Sequence, residues 1–502
     1  MTATVSKIKQ KVKPIHFAIL LFVGLLFLTW IIGEPRNAYT EESQHSYYAA
    51  AAVRGHVPLK IATIIPSPKW AVDVPSWLYN IFQVGIIRNN GSGTTATTTV
   101  LAHLPPFYYF VVGLPTLFRI GLVNLFFMRG LSALMCVLYV SYSFWGIYRY
   151  KKGLLSVAGI FLALTPEAYF LGATVNPNGP EISGGLCLYV YTGLIITSKR
   201  EDRISLYKKW AVVAGTLCLL RTLSPLWVLV AGVYLLIGLG LKDSKDILIN
   251  RELIKWSLFT FLMGSATFIW DIFWGRFPYY MAFYLTSNYH NYNLIGRTFI
   301  SITRVPLYLS QAYFSLDGLI SPLFTSIWIG LILIIILLNL IFSNKKTISI
   351  VLTSVIFSIV IPSVAEASQG QHMGLWWYGY YSLPLYTGVP VLSSMLLFDD
   401  LIKSKRSLKL LSLLRRHIDL IAKIIISLVI VAELFLYYEL LRNFIVGPNG
   451  QLNIMFGPII NKINFNWRTY PYGWQDFWLF LNIASLVGLG YLIFTKYPKY
   501  QE

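Results

Sequence analysis

The stretch IHFAILLFVGLLFLTWIIG, residues 15–33, contains no lysine, arginine, aspartate or glutamate. A run of roughly 20 apolar residues is long enough to cross the hydrocarbon core of a bilayer as an α-helix. Similar runs recur along the 502-residue chain, which is 56% hydrophobic and only 12% charged, whereas soluble domains carry about 25% charged residues. The sequence therefore predicts an all-α integral membrane protein that crosses the bilayer many times.

Most basic residues lie in short segments between the apolar runs, and these segments hold 26 of the 41 lysines and arginines. Basic loops of membrane proteins face the cytoplasm, so we attribute the net charge of +20 to orientation. Nucleic acid is not expected as a partner, because binding it would need a basic face on a soluble module. The cytoplasmic segments are predicted at Lys7–Lys13, Arg149–Lys152, Lys199–Lys209, Lys242–Lys255, Lys345–Lys346, Lys403–Arg416 and Lys496–Lys499.

About twelve crossings fit between these segments, with both termini in the cytoplasm. We expect one polytopic membrane domain over residues 1–502, with long extracytoplasmic loops at 34–129, 276–317 and 441–476. The first of these loops is expected to carry juxtamembrane helices. The predicted crossings are 15–33, 130–148, 153–172, 181–197, 208–223, 225–241, 253–275, 318–342, 347–364, 375–398, 418–440 and 477–495.

The apolar segment Pro105–Phe118 does not fit this pattern, because a crossing there would place Arg149–Lys152 outside the cell. The segment is short and contains Pro115. We interpret it as a helix in the outer membrane interface, with its tyrosines at headgroup depth. A true crossing that violates the orientation rule once is the alternative.

Polar residues gather on the predicted outer face. The tract NNGSGTTATTT, Asn89–Thr99, has the composition of a flexible segment without packing residues. Shorter outer turns are predicted at TVNPNGPE (174–181), RTLSP (221–225) and AEASQGQHMG (365–374). The chain has no Walker sequence, glycine-rich nucleotide fingerprint or HExxH motif, so a nucleotide-driven pump is not expected.

Two adjacent glutamates directly follow the first crossing. Thr40 is a suitable N-cap and Gly55 suits the position beyond a helix end, which predicts a helix over Glu41–Arg54 whose alanine-rich side rests on the bilayer. His45 lies three and four residues after Glu42 and Glu41, on the same side of this helix. An ionised carboxylate held at the membrane surface can take a proton from a hydroxyl. The alternative is that both acids only cap the helix, where its dipole favours them.

Several short motifs appear in an order that resembles a bacterial polytopic membrane family of formerly unknown function, itself similar to the GT-C glycosyltransferases. The resemblance implies a GT-C-like bundle of about 12 transmembrane helices. It also implies transfer of a sugar from a polyprenyl-phosphate-linked donor to a cell-envelope glycan or lipid acceptor on the extracytoplasmic face. The motifs are TEESQHSYYAAAAVRG, HLPPFYY, RGLSAL, TPEAYFLGATVNPNGPEI, LLRTLSPLW, SLDGLISPL and WWYGYYSLPL.

The resemblance also implies roles for the acidic pair. The family's Asp-Glu-x-x-His pattern falls on Glu41, Glu42 and His45, with glutamate in place of the aspartate. The first acid of such a pair is usually the base, which favours Glu41. Glu42 would then orient the acceptor or a neighbouring basic group.

Two motifs depart from the family pattern. Its Asn-Pro-Asp-Gly turn reads Asn176-Pro-Asn178-Gly, so an acid is missing. Its Gly-Arg-Tyr-x-x-Pro segment has Tyr380 and Tyr381 after the glycine, so an arginine that would suit a phosphate is missing. Arg221, near the outer end of an apolar run, is the best replacement, because an arginine there is costly unless it is used. The alternative is an arginine that only reaches up to the interface.

Weaker candidates surround these positions. His103 is a candidate donor-binding residue, although an interfacial histidine is the simpler interpretation. Asp271 and Asp317 are candidates for contact with sugar or acceptor, or for helix capping. The aromatic residues of the last motif predict an interfacial belt, and some of them, Trp377 in particular, would alternatively stack on a sugar or an isoprenoid chain; they are Trp376, Trp377, Tyr378, Tyr380 and Tyr381.

The sequence predicts no certain cofactor. Glu42 and His45 at i and i+3 leave a divalent cation open as a possibility, but one carboxylate and one imidazole make an incomplete site. Two other functions remain as alternatives. A transporter or flippase of lipid-linked glycans would place charges near the middle of the membrane and often has repeated halves, which the sequence lacks. A glycan polymerase or ligase would not need the acidic pair.

Overall fold

The protein is described here by a computed structural model, which covers residues 14–34, 41–55, 61–62, 69–82, 93–118, 121–273, 288–313, 322–403, 409–446 and 475–498. Over these residues it consists of α-helices and one small sheet. Nine of the described helices are long and apolar enough to cross a membrane, and the bent pair Gly153–Ala163 and Pro166–Ala173 would make a tenth span. The predicted all-α, multi-pass architecture is confirmed.

The helices follow one another along the chain with short connections. They are α1 (Pro14–Gly33), α2 (Glu42–Ala52), α3 (Ser76–Phe82), α4 (Phe107–Gly113), α5 (Leu122–Arg149), α6 (Gly153–Ala163), α7 (Pro166–Ala173), α8 (Asn178–Thr197), α9 (Arg200–Cys218), α10 (Ser224–Ile249), α11 (Arg251–Phe273), α12 (Leu294–Thr303), α13 (Val305–Tyr313), α14 (Pro322–Phe342), α15 (Lys345–Met373), α16 (Leu383–Tyr386), α17 (Gly388–Lys403), α18 (Lys409–Val446) and α19 (Gln475–Lys496).

The count of nine or ten spans in the described residues is lower than the twelve crossings predicted. Helices α8 and α9 coincide with two predicted crossings but do not meet the criterion of length and apolarity. The sequence of α8 begins NGPEISGG and that of α9 begins REDRISLYKK, which lowers their mean hydropathy. Because α8 is buried inside the protein over nearly its whole length, it presents little surface to the lipid, and its polar first turn is hydrogen-bonded by neighbouring residues instead.

Helix α8 forms the centre of the bundle. It packs against α5, α9, α10 and α17, while α6 packs against α17 and α18, and α1 packs against α5 and α19. The backbone approach at this centre is close, because a Cβ atom added at Gly185 would lie 2.7 Å from the carbonyl oxygen of Pro384. The central helix therefore places its first turn, which follows the Asn-Pro-Asn-Gly sequence, in a fixed position relative to its neighbours.

The helix predicted over Glu41–Arg54 is present as α2, with Glu41 as its N-cap residue; the predicted cap Thr40 lies outside the described residues. Gly55 has a φ of +74°, as expected for a glycine beyond a helix end. The prediction for the alanines is wrong. Ala49–Ala52 are fully buried, because α2 packs on α4 and on two strands, and small side chains allow this close approach.

Three antiparallel strands lie between α2 and α4 in the chain, in the order β1 (Ile61–Ala62), β2 (Lys69–Pro75) and β3 (Thr94–Thr99). The prediction of a flexible tract ending at Thr99 is wrong for β3, which pairs with β2 from Trp70 opposite Thr99 to Pro75 opposite Thr94. Threonine is β-branched and favours strands. The Thr99 hydroxyl also donates to the Gln44 carbonyl at 3.2 Å, which joins the sheet to α2.

The segment Pro105–Phe118 forms the short helix α4 and a 3₁₀ turn, Leu114–Leu117. Together they cover about half the length that a membrane crossing needs. The alternative of a true crossing is therefore not supported, while the interfacial position of this helix remains a prediction.

The outer turn predicted at residues 365–374 is wrong. Helix α15 continues to Met373 and ends at Gly374, whose φ is +68°. Alanine, glutamate, glutamine and methionine favour helix, so the polar composition of this stretch did not mark a turn. In the second predicted loop, α12 and α13 follow a 3₁₀ turn at Asn288–Asn291. Most of the third predicted loop lies outside the described residues.

The contact between α2 and α4 depends on Gly113. A Cβ atom there would lie 2.2 Å from the carbonyl oxygen of Ala49, so Gly113→Ala should force the two helices apart and lower the stability by about 1–3 kcal/mol. Thermal unfolding in detergent measures the effect. Gly330→Ala is the matched control, because no atom lies within 4 Å of its added Cβ and alanine favours helix. Equal melting temperatures for the two variants would refute the close packing of α2 on α4.

Candidate active site

The two glutamates at the start of α2 have different surroundings. Glu42 is fully buried, whereas Glu41 is half-buried. The backbone carbonyl of Glu41 accepts the His45 N–H at 3.0 Å. Of this pair, Glu41 is therefore the acid that solvent or a substrate can reach.

Glu42 forms a two-pronged ion pair with Arg129 of α5. Arg129 Nε donates to Oε1 of the carboxylate at 2.7 Å, and Nη2 donates to Oε2 at 2.6 Å. Arg129 Nη1 also donates to the carbonyls of Ile31 and Glu34 at the end of α1. The Val175 N–H donates to Glu42 Oε1 at 3.2 Å. Glu42 thus orients a basic group and ties α1, α2, α5 and the turn before α8 together.

Arg129 was not predicted as a site residue. It lies in the apolar stretch that forms α5 and is fully buried. The signal that would have found it is the charge itself, because an arginine within an apolar run is rare unless it has a buried partner. The acidic pair after the first crossing supplies that partner, but no sequence spacing connects positions 42 and 129.

Arg221 lies in the connection between α9 and α10, with 16% of its side chain exposed. Its Nη1 donates to Asn178 Oδ1 and, at 3.4 Å, to Glu181 Oε2. The guanidinium carbon lies 4.9 Å from the ring centroid of Tyr381, a cation–π distance. The first turn of α8 and the aromatic segment therefore hold Arg221 from two sides.

Glu181 is a second residue that the sequence did not identify. It is buried, and its Oε1 accepts the Ser224 hydroxyl at 2.8 Å and the Trp227 indole N–H at 2.9 Å. The Asn-Pro-Asn-Gly turn lacks the acid of the family pattern, and Glu181, one helical turn later, supplies a carboxylate to Arg221 instead. Its position three residues after Asn178 could have identified Glu181, because residues with this spacing share a helix face.

Asn176 is buried in the turn that precedes α8, and Asn178, the first residue of that helix, is also buried. Asn176 Oδ1 accepts the backbone N–H of Asn178 at 2.9 Å and its side-chain Nδ2 at 2.8 Å. Asn176 Nδ2 itself makes no hydrogen bond with any residue that the structure describes. These contacts fix the turn and present Asn178 Oδ1 to Arg221, so Asn178 acts on the arginine.

His45 and Tyr109 share a hydrogen bond of 2.8 Å between Nδ1 and the hydroxyl, and their rings stack. Burial lowers the pKa of His45 well below its usual value, and Arg221 and His103 lower it further. Burial lowers the pKa of His103 to about 4, although its hydrogen bond to the Val100 carbonyl acts in the opposite direction. Both imidazoles are neutral at pH 7 and offer hydrogen bonds, but no charge, to a phosphate.

The aromatic segment after α15 does not form the predicted belt in full, because Trp377 and Tyr380 are buried in the protein. The Trp377 indole donates to the Ser382 hydroxyl at 2.8 Å, and its ring packs on Tyr381. Tyr380 stacks on Tyr378, which is 38% exposed. Trp377 therefore supports Tyr381, and Tyr381 is the ring that meets Arg221.

Glu366 anchors this segment from within α15. It accepts Arg304 and the Tyr308 hydroxyl with its two carboxylate oxygens, and the Trp377 N–H at 3.1 Å. The carboxylate is fully buried. Glu366 was assigned to a turn on the sequence, and its place in a helix explains why it can hold α13 and the aromatic segment together.

Asp271, near the end of α11, accepts the Thr222 hydroxyl at 3.0 Å. Its neighbour Trp270 donates its indole N–H to the His103 carbonyl at 3.0 Å. The end of α11 thus lies beside Thr222, the residue that follows Arg221. Asp317, the other aspartate predicted to contact substrate, lies outside the described residues.

A cation held jointly by Glu42 and His45 does not agree with their contacts. Both oxygens of Glu42 accept hydrogen bonds from Arg129, whose guanidinium occupies the place that a cation would take, although His45 Nε2 makes no hydrogen bond within the described residues. Over the part of the chain that the structure describes, no group of three or more histidine, cysteine, aspartate or glutamate side chains could hold a metal ion.

The side chains of Glu41 and Arg221 are both partly exposed. Arg221 packs against the Tyr381 ring, and Glu41 lies one helical turn before His45, which hydrogen-bonds to Tyr109. An accessible carboxylate can accept a proton from a hydroxyl, and the forked donors of a guanidinium match a phosphate. The arrangement therefore presents one acidic and one basic side chain that are both partly exposed.

The family model described as "Predicted membrane protein (DUF2142)" matches residues 85–389. No curated protein matches the chain. Among solved structures, the chain is similar to ArnT from Cupriavidus metallidurans in the apo state, at 11% identity, over 96% of this chain and 75% of ArnT. The TM-score of 0.39 is too low to transfer a fold or an activity.

The ion pair between Glu42 and Arg129 can be tested by a double-mutant cycle. Arg129→Leu leaves Glu42 as a buried charge without its partner, which costs about 3–5 kcal/mol. The double variant Arg129→Leu with Glu42→Leu should be less destabilised than the sum of the two single variants, since no charge remains buried. Thermal unfolding of the four proteins in detergent gives the coupling. Strictly additive losses would show that the two side chains do not interact.

Proposed function

The chain belongs to the family of predicted membrane proteins DUF2142, and we propose that this member is a glycosyltransferase. It would move a sugar from a polyprenyl-phosphate-linked donor to a hydroxyl of a cell-envelope glycan or lipid. The observation that supports the proposal is a pair of partly exposed charged side chains, Glu41 at the start of α2 and Arg221 against the Tyr381 ring. The sequence resemblance to GT-C enzymes implies an acid at the position of Glu41 for the same reaction.

In the proposed reaction, Glu41 takes the proton of the acceptor hydroxyl as its oxygen attacks the anomeric carbon of the donor sugar. The bond between that carbon and the phosphate oxygen breaks, and the lipid phosphate leaves with the electron pair. Attack from the face opposite the phosphate inverts the anomeric configuration. Arg221 binds the phosphate and stabilises the negative charge that develops on it.

Glu41 is favoured over Glu42 as the base because of their contacts. A base must be reached by the acceptor and must have a lone pair to receive the proton. Glu42 is fully buried and already accepts three hydrogen bonds, two of them from Arg129. Glu42 therefore serves as a positioning residue that fixes the start of α2.

Most of the remaining candidates would bind the substrates through uncharged groups. His45 and His103 are neutral and would donate or accept hydrogen bonds with the donor. Tyr381 would contact the donor beside Arg221, supported by Tyr380 and Trp377. Asn176 and Asn178 would act through Arg221, and Asp317 is proposed as a further substrate contact on the sequence alone.

The proposal places this site at the extracytoplasmic surface of the cell membrane, with both termini in the cytoplasm. This orientation rests on the distribution of basic segments in the sequence. In it, α1 runs outward and α2 follows directly on the outer side. A divalent cation is not assigned a role, because Arg221 meets the leaving phosphate.

Replacing the proposed base tests the reaction directly. Glu41→Gln keeps the shape of the side chain but removes its basicity, so sugar transfer should fall at least about a hundredfold while donor binding persists. The assay is transfer of radiolabelled sugar from a purified lipid donor in detergent, at saturating donor. Glu201→Gln is the control, because Glu201 is an exposed acid at the start of α9. Wild-type turnover of Glu41→Gln, of Glu42→Gln and of the double variant would leave both glutamates as helix-capping and structural residues.

The phosphate role of Arg221 has a separate test. Arg221→Lys keeps the charge but loses the forked geometry, so donor affinity should weaken about tenfold, with a smaller change in melting temperature. Affinity for a polyprenyl-phosphate sugar and thermal stability are measured on the same preparation. Arg251→Lys, at an exposed position on α11, is the control for the general effect of replacing an arginine by a lysine. An unchanged affinity would return Arg221 to a purely interfacial role.

A further inference from the structure

A groove of about 450 Å³ lies on the periphery of the helix bundle, away from the candidate active site. It lies between α5, α9 and α11. Its wall is largely apolar and aromatic, and two lysines lie at one end. The residues that line the groove include Leu138, Tyr139, Lys208, Lys209, Val212 and Trp256.

The apolar wall of the groove faces the bilayer. Leu138 is 55% exposed and Val212 is 41% exposed, and both belong to helices that run alongside other membrane spans. The Tyr139 hydroxyl donates to Thr216 at 2.8 Å, which closes the far end of the groove with a satisfied polar pair. From Lys209 to Thr216 the groove follows α9 for about 10 Å. A wall of this kind accommodates part of an acyl chain.

The other end of the groove is cationic. The Lys209 ammonium lies 5.3 Å from the ring centroids of both Trp145 and Tyr150, and Arg149 lies over the same indole at 5.8 Å. Lys208 forms an ion pair with Glu252.

The remaining carboxylate near Lys209 is more distant. Asp202 acts on Lys209 electrostatically, but no salt bridge joins the two within the described part of the chain. Lys209 and Arg149 therefore lie over the same Trp145 ring, and among the described residues no carboxylate contacts Lys209. An anion at this position would relieve their repulsion.

We propose that this groove binds one anionic phospholipid, with its phosphate at Lys209 and Lys208 and an acyl chain along Val212. Positive charge at the headgroup end and apolar surface beyond it complement such a molecule. Indole and phenol rings are common at headgroup depth. Lys209 lies about 14 Å along α9 from the end of that helix at Cys218, so the cationic end of the groove points away from Arg221 toward the other side of the membrane. The proposal does not depend on the proposed function.

Lipid binding to the full chain in detergent tests the proposal, with native mass spectrometry to count bound lipids and titration to give affinities. Phosphatidylglycerol should bind at least tenfold more tightly than phosphatidylcholine with the same acyl chains. Lys209→Gln should weaken phosphatidylglycerol binding about fivefold and leave phosphatidylcholine unchanged. Lys209→Arg should retain the affinity, and Lys345→Gln, at an exposed position outside the groove, should have no effect.

Further measurements distinguish a phospholipid from other molecules that carry a phosphate. Val212→Trp fills the apolar wall and keeps both lysines, so it should weaken phosphatidylglycerol binding as well. Glycerol phosphate should not compete at concentrations that match the lipid. Equal binding of the two phospholipids, an unchanged Lys209→Gln variant, or effective competition by glycerol phosphate would each overturn the proposal. Tighter binding of farnesyl phosphate than of phosphatidylglycerol would also overturn it, in favour of an isoprenoid site.

Discussion

The ion pair between Glu42 and Arg129 holds α2 against α5 at a point that water does not reach. Moving a carboxylate and a guanidinium out of water costs several kcal/mol for each ion, and their attraction offsets this only with good geometry and further hydrogen bonds. Here two parallel bonds join the ions, while carbonyls at the end of α1 and the Val175 N–H satisfy other atoms of the pair. Four parts of the chain therefore meet at one charge pair.

This constraint decides how the neighbouring acid is presented. Successive residues of an α-helix point about 100° apart, so adjacent side chains do not face each other. Because Arg129 fixes Glu42 toward the interior, Glu41 is turned to another side of α2, where it is half-buried. The buried pair thus leaves the other glutamate partly exposed and gives the two adjacent acids different surroundings.

The sequence predicted the helices and the position of the acidic pair because both are local properties. Apolar run length predicts a crossing, and the residues around Gly55 predict the end of α2. The pairing of Thr94–Thr99 with β2 was missed, because a strand depends on a partner that is distant in the sequence. Residues 365–373 were assigned to a turn on polarity alone, although their helix propensity continues α15. Arg129 and Glu181 act through partners 87 and 40 residues away, and no spacing in a single sequence reveals such pairs.

The charges around Arg221 explain why this arginine suits an anion. Its carboxylate partner Glu181 already accepts hydrogen bonds from Ser224 and Trp227, so its charge is shared among several donors. Burial keeps His45 and His103 neutral, which prevents further positive charge from accumulating beside the guanidinium. The Tyr381 ring supports the cation from one face without neutralising it. A guanidinium that is held in place and only partly compensated retains donors and charge, and in the proposed function these bind the donor phosphate while the partly exposed Glu41 receives a proton.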